Sequence, residues 1–543
     1  MQLAKSWIDR CVQTHAVCSE DTAASWYPTR LLCLRDIQDD GTGILRLVQT
    51  SSESLSRPYV TLSHCWGLEQ FLVLRVENLA QFQRGLDVAH LNPTFRDSVR
   101  VCKSLGFEYL WIDSLCIIQG DEADWLKECE LMAKVYRNAY CNISATASSS
   151  GAEGLLRDRD LRAVTRIEVD SQENAGKLGD TRELVDMQYW QQQVHRAHLQ
   201  KRGWVVQERL LSRRILHFSE TELLWECDVL EASESYPRGL HSQTELDYKH
   251  IHGRMRVQDP RLHPQALAKV DAWTEIVRLY ARAHFTKPDD RMIALSGVAK
   301  HLEQVWNDEY YAGMWRSTLL KDMLWRLCAR LDPKPFTSGR FAAPSFSWLS
   351  VGRSELLLYD DEKGTPNPTY LAEILNYEAV FLTSDHTGII ISASLHMRGT
   401  LRQPSWHYEE GSTVARLEGR KLTTKISLDD GSLRLPEASM ASGALFMLPL
   451  VEERREWGFW HRCFCLILEL RSRDQGTYRR IGWGRVTGFS LRPHPDETER
   501  DQFLVPHAVE TTETDFLAPQ EGEELFPSIH YDPETHRHTI IIQ

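Results

Sequence analysis

Tyr59-Val60-Thr61-Leu62-Ser63-His64-Cys65-Trp66-Gly67, or YVTLSHCWG, is a short apolar run that stops abruptly in small, polar and reactive residues. Tyr59 to Leu62 favour extended backbone, and Gly67 permits a tight exit that a side chain would obstruct. The stretch therefore reads as a buried strand that delivers Ser63, His64, Cys65 and Trp66 at its carboxyl end. In an open parallel sheet, ligands bind outside that end of the strands. The same residues can also simply pack.

A second segment repeats the pattern. Asn92-Pro93-Thr94 opens a helix with Phe95, Val99, Cys102 and Leu105 on one face, and Gly106 is placed to end it. Tyr109-Leu110-Trp111-Ile112 then runs into Asp113, Ser114, Cys116 and Gln119. Strand, helix and strand in this order predict a parallel crossover that brings Asp113 and Cys116 to the edge holding His64 and Cys65. A helix capped by Asp121 or Asp124 follows, with Trp125, Cys129, Met132 and Tyr136 read as core, and Tyr140 to Ala145 supplies a third parallel strand. Asn142-Ile143-Ser144 fits a glycosylation sequon but lies inside that strand, so it is discounted.

The chain has 543 residues, enough for three or four domains or one domain with large appendages, and 42% are hydrophobic. A formal charge of -13 argues against a generic phosphate-coating surface, so no nucleic-acid partner is expected. Twelve scattered cysteines read as reduced thiols of an intracellular protein rather than a disulfide framework. The N-terminus lacks the apolar core of a signal peptide, and no run approaches a membrane span. A soluble protein, cytoplasmic or nuclear, with no membrane partner is the expectation.

Residues 3 to 18 form a helical pattern with Trp7, Cys11, His15 and Cys18 on about one face. Three of these could ligate zinc with a fourth from elsewhere, such as Cys33. Without a paired CxxC, packing is preferred and no metal is expected. Arg30 to Leu34 and Ile44 to Val48 predict a hairpin around Asp39-Asp40-Gly41-Thr42-Gly43. A charged insertion is expected from about Arg157 to Lys201, partly helical near Met187 to Leu199. Order resumes at Arg202 with a short helix through Ser212, then a hairpin of Arg214 to Phe218 and Glu222 to Cys227. Trp204 and Glu208, four apart, share one helix face. Glu208 reads either as a structural ion pair with Arg209 or Arg213 or as a carboxylate held for chemistry. Helices follow from Asp271, after Asp290 and from Met314 to Leu327, and the remainder reads as mostly β.

Three stretches together resemble fungal heterokaryon-incompatibility (HET) domain proteins: YVTLSHCWG at 59 to 67, YLWIDSLCIIQGD at 109 to 121, and RGWVVQERLLSRRILHF at 202 to 218. The pattern of Trp7, Cys11, His15 and Cys18 looks like the leader often preceding that domain, and TKPDDRMIALSGVA, YYAGMW and APSFSW look like its downstream region. The resemblance implies nonself recognition between fungal strains, ending in growth arrest or regulated cell death, with protein partners or self-association. It also implies an α/β, flavodoxin-like (TIR-like) parallel sheet. The organisation expected is a leader over 1-55, the HET domain over 56-235, a helical region over 236-340 and a mostly β region over 341-543. Some TIR domains cleave NAD with a glutamate in a WxxxE-like helix, and Trp204 and Glu208 have that spacing. On that reading Glu208, Asp113 and His64 are catalytic, while Ser63, Cys65, Trp66, Gly67, Cys116 and Trp204 bind NAD as substrate. A different enzyme class, a Cys-His hydrolase, would use Cys65 or Cys116 as nucleophile, His64 or His217 as base and Asp113 to orient it.

Overall fold

The computed structural model describes residues 1–19, 26–160, 162, 167–170, 181–184, 186–240, 265–332, 343–359, 368–409, 412–417, 420–422, 424–432, 434–454, 461–488, 531–532, 535 and 537–543. The chain divides into two compact units, Met1–Thr286 with Ile293–Val305, and Lys287–Met292 with Trp306–Gln543.

The first unit begins with helix α1 (Gln2–Thr14) and the strands β1 (Arg30–Cys33) and β2 (Ile44–Gln49). It continues through β3 (Tyr59–Ser63), β4 (Leu86–Asp87), α2 (Pro93–Leu105), β5 (Tyr109–Ile112), α3 (Glu122–Asn138) and β6 (Asn142–Ser144). The helix α4 (Gly203–Leu211), the strands β7 (Arg214–Phe218), β8 (Leu223–Cys227) and β9 (Glu231–Ser233), and α5 (Gln265–Arg282) follow. The strands form one nine-stranded sheet in the order β9-β8-β7-β6-β3-β5-β1-β2-β4.

Four adjacent strands, β5, β3, β6 and β7, are mutually parallel, so the expected crossover stands and the three polar strand ends share one edge. Taken in chain order these four lie 2-1-3-4, as the first four strands of a flavodoxin-like sheet do. The whole sheet, however, is mixed. The strand β8, antiparallel to β7, occupies the position a fifth parallel strand would take. On the other side β1 pairs antiparallel with β5, so the expected N-terminal hairpin is built into the same sheet. Every residue of β3, β5, β6 and β7 is buried, which explains their near-continuous apolar reading.

The helix ends follow local chemistry. Asn92 accepts from the Phe95 amide at 2.9 Å with Pro93 in the first turn, and α2 stops at Gly106. Asp121, rather than Asp124, caps α3 by accepting from the Ala123 and Asp124 amides. Asp124 instead pairs with Arg30 at 2.6 Å. Asn142 is buried within β6, as discounting the sequon required.

The second unit is built on a sheet whose main path runs Thr369–Tyr370, Leu445–Arg454, His461–Ser472, Thr477–Gly488, Arg537–Ile542, Ile390–Gly399 and Ala372–Phe381. It is antiparallel except where Thr477–Gly488 meets Arg537–Ile542. Cys463 and Cys465 are core neighbours there, as their spacing suggested. The helix expected over Met314 to Leu327 is reduced to a short helical stretch, Arg316–Thr318 and Leu319–Asp322, between two strands. Met314–Trp315 pairs with Tyr310–Tyr311 across Ala312 and Gly313, both at positive φ, and Arg326–Arg330 is a strand paired with Ser354–Leu357. Two successive left-handed residues form a hairpin turn that apolar periodicity does not register.

Candidate functional site

The site is assembled at the carboxyl ends of β3 and β5. His64, 3% exposed, leaves β3 with its ring pinned on one side by Asp113: Nε2 lies 2.9 Å from Asp113 Oδ1. The other carboxylate oxygen accepts from Trp66 Nε1 at 2.9 Å, and Oδ1 also accepts from the Ser114 amide at 2.7 Å. Burial opposes charge on Asp113, but His64, Arg202 and the Trp66 donor outweigh it and hold the carboxyl below the usual carboxylate range. Phe95 meets the His64 ring edge-on at 4.9 Å, and Phe71 packs edge-on against His64, Trp66 and Phe95. His64 is therefore boxed by aromatic rings on a charged floor.

Gly67 makes this turn possible. Its φ is +70°, and a Cβ there would stand 2.7 Å from Ser150 Cβ, so the loop after β3 lies directly on the loop after β6.

Glu208 arrives from α4. The start of that helix is clamped: the Gly203 amide donates to His284 O at 2.9 Å, and the Phe285 ring occupies the space a Gly203 side chain would need. Arg202, just before it, donates to the His64 carbonyl. Helices α3 and α4 pack together, and this brings Tyr136 to Glu208. Glu208 is 5% exposed, and burial pushes its carboxyl up, against the pull of Arg202 and the Ser63 and Tyr136 hydroxyls and with a further push from Asp113. Among the described residues none donates to its buried Oε2. Ser63 itself is tied to β6 through Asn142, whose Nδ2 donates to Ser63 Oγ at 2.9 Å.

Ser63, His64, Trp66, Gly67, Asp113 and Glu208 are thus brought into one neighbourhood. Trp204 is half-buried one turn before Glu208. The pairing of Glu208 with Arg209 does not occur: Arg209 binds Glu226 at 2.8 Å, both side chains being buried. Cys65 turns away from His64 to pack on Leu199 and Val205, and burial pushes its thiol up to about 11. The buried Cys116 thiol is likewise pushed up to about 12, and the Cys116 carbonyl accepts from Arg30 Nε at 2.7 Å. His217, the other candidate base, lies between Thr146 and Glu226, 2.9 Å from each. Neither thiol has the lowered pKa of a nucleophile.

Sequence reasoning missed Arg202, Tyr136, Phe71 and Phe95. Tyr136 had a helix-core period, and only its hydroxyl marks it, since a buried phenol seeks a polar partner. Arg202 stood beside a recognised motif, one residue before the helix. The remaining cluster, Cys11, His15 and Cys18, does not converge on Cys33; its fourth member is Cys227.

Residues 59–208 match the family model described as heterokaryon incompatibility protein (HET). The match opens on the first residue of β3 and closes on Glu208, so it spans the site from one wall to the other. No curated protein and no solved structure matches the chain.

Proposed function

We propose that this chain is an effector of heterokaryon incompatibility that promotes regulated cell death between fungal strains through its HET region, by association with itself or with protein partners. The supporting observation is the match over 59–208, which includes a sheet edge where Trp66, Phe71 and Phe95 pack around His64. An edge occupied by its own side chains suits a module that acts by assembly. High-level expression of the full chain in a filamentous fungus is expected to arrest growth and kill cells, as read by a viability stain. Unimpaired viability at high expression would sink this reading.

One observation favours a second, enzymatic reading within the same biological role. A carboxylate buried beside Arg202, with an oxygen that no described group donates to, is costly to maintain unless it has work to do. In a TIR-like site it would face the ribose of NAD. The bond from ribose C1′ to the nicotinamide nitrogen breaks, nicotinamide leaves with the electron pair, and the Glu208 carboxylate stabilises the oxocarbenium ion until water adds to it. The products are nicotinamide, ADP-ribose and a proton. Asp113 would hold His64 in place, and Trp66 with Phe71 would have to open for NAD to enter. Glu208→Gln keeps the size and removes the charge, so NAD loss should slow by roughly a hundredfold or more. If the full chain in its cell-killing form leaves NAD intact, the enzymatic reading fails and the assembling module stands.

A further inference from the structure

The ligating atoms of Cys11, His15, Cys18 and Cys227 all lie within 4.8 Å of one another, at a place remote in the sheet order from the His64 edge. Cys11 lies in the last turn of α1, and His15, four residues on, is the residue that caps the helix. Its backbone is non-helical, and the turn that follows, closed by the Cys18 amide on His15 O at 3.0 Å, carries Cys18 back toward Cys11. Cys227 comes from the last position of β8, and its sulfur stands 3.4 Å from His15 Nδ1 although the two residues are 212 positions apart.

We propose that Cys11, His15, Cys18 and Cys227 bind one zinc ion in a structural Cys3His site that fastens the N-terminal helix to the β8-β9 hairpin. With Zn–S of about 2.3 Å and Zn–N of about 2.0–2.1 Å, the edges of a tetrahedral site come to about 3.5–3.8 Å, and four atoms no more than 4.8 Å apart need only a small contraction to reach it. Thiolate with imidazole ligands selects zinc over the oxygen-seeking cations. All four positions are protein ligands and the three cysteines are fully buried, so no open position is left for a substrate, as in structural sites.

The surroundings serve the bound form. Three thiols release three protons on binding, which leaves the zinc and its ligands with one net negative charge. Arg214 supplies the compensating cation: its Nε donates to Cys11 Sγ at 3.3 Å and its Nη2 to the Cys18 carbonyl at 2.8 Å. The Leu230 amide donates to Cys227 Sγ at 3.3 Å, fixing the hairpin ligand. Partners of this kind around the ligands orient them and tune the metal. A disulfide would use two of the three thiols and leave the third, with the imidazole, unexplained.

The test is elemental analysis of the full chain, made without a histidine tag in zinc-supplemented medium and dialysed against a weak chelator. One zinc per chain is expected, retained by Cys33→Ser and lost from Cys18→Ser and from Cys227→Ser. X-ray absorption on the wild-type chain needs no variant to fold, and three sulfur neighbours and one nitrogen are expected. Cobalt(II) added to the zinc-stripped chain should give the absorption of tetrahedral cobalt thiolate. A chain with no zinc above background, zinc that persists in both cysteine variants, or a metal without a sulfur shell would overturn the proposal.

Discussion

Asp113 and Glu208 are carboxylates in one neighbourhood whose surroundings push them in opposite directions. Asp113 has three donors and stays charged, whereas Glu208 is held up by burial. For a group with a raised folded pKa, the stability it contributes is complete below the unfolded value near about 4.3 and is lost as pH rises through the folded pKa. Glu208→Gln removes that loss. The variant should therefore melt at least as high as wild type at neutral pH, with the difference shrinking on acidification toward about pH 4, where the wild-type side chain is also neutral. Melting curves at several pH values check this, and a variant that is clearly less stable at neutral pH would instead point to a stabilising pair with Arg202. Gly67→Ala tests the turn that carries His64: left-handed backbone costs about 1–2 kcal/mol, and the encounter with Ser150 adds to it. Urea unfolding should show the destabilisation.

At the level of elements, the start of α2 sets the position of a site residue. The Asn92 side chain fixes the first turn of the helix, and Phe95 in that turn lies against the His64 ring. Asn92→Ala should cost about 0.5–2 kcal/mol, read as a lower urea midpoint with an unchanged slope. The parallel strands β3, β5 and β6 were legible because each is a short apolar run ending in polar residues, with helical periodicity between. The place of β7 was not: Arg214 to Phe218 carries the alternation of a hairpin partner, and nothing in it shows that its other edge pairs parallel with β6. Met314 to Leu327 misled for a related reason, since apolar spacing says nothing of the positive φ at Ala312 and Gly313.

Across the first unit, segments far apart in the chain hold one another. The α1 helix packs on the segment that follows β7: Trp7 stacks on Trp225 with ring centroids 6.4 Å apart and donates from Nε1 to Pro237 O at 2.9 Å. Trp7→Ala should cost about 3–5 kcal/mol. Denaturant unfolding of the full chain measures it, and an unchanged midpoint would show that α1 docks without supporting the sheet. None of the described helices is long and apolar enough to cross a membrane.

The sequence alone determined the parallel crossover, the start and stop of α2 at Asn92 and Gly106, and the polar ends at Ser63, His64 and Asp113. Those features depend on residues near one another in the chain, where propensity and period act. Tertiary structure decided which cation stands by Glu208, since the neighbouring Arg209 is drawn into a buried pair with Glu226 and Arg202 takes its place. It also decided that Cys227, not Cys33, completes the cluster of Cys11, His15 and Cys18. The physical reason is the same in both cases: which polar groups meet in a low-dielectric interior depends on how faces pack, and the identity of the partner is carried by no local pattern.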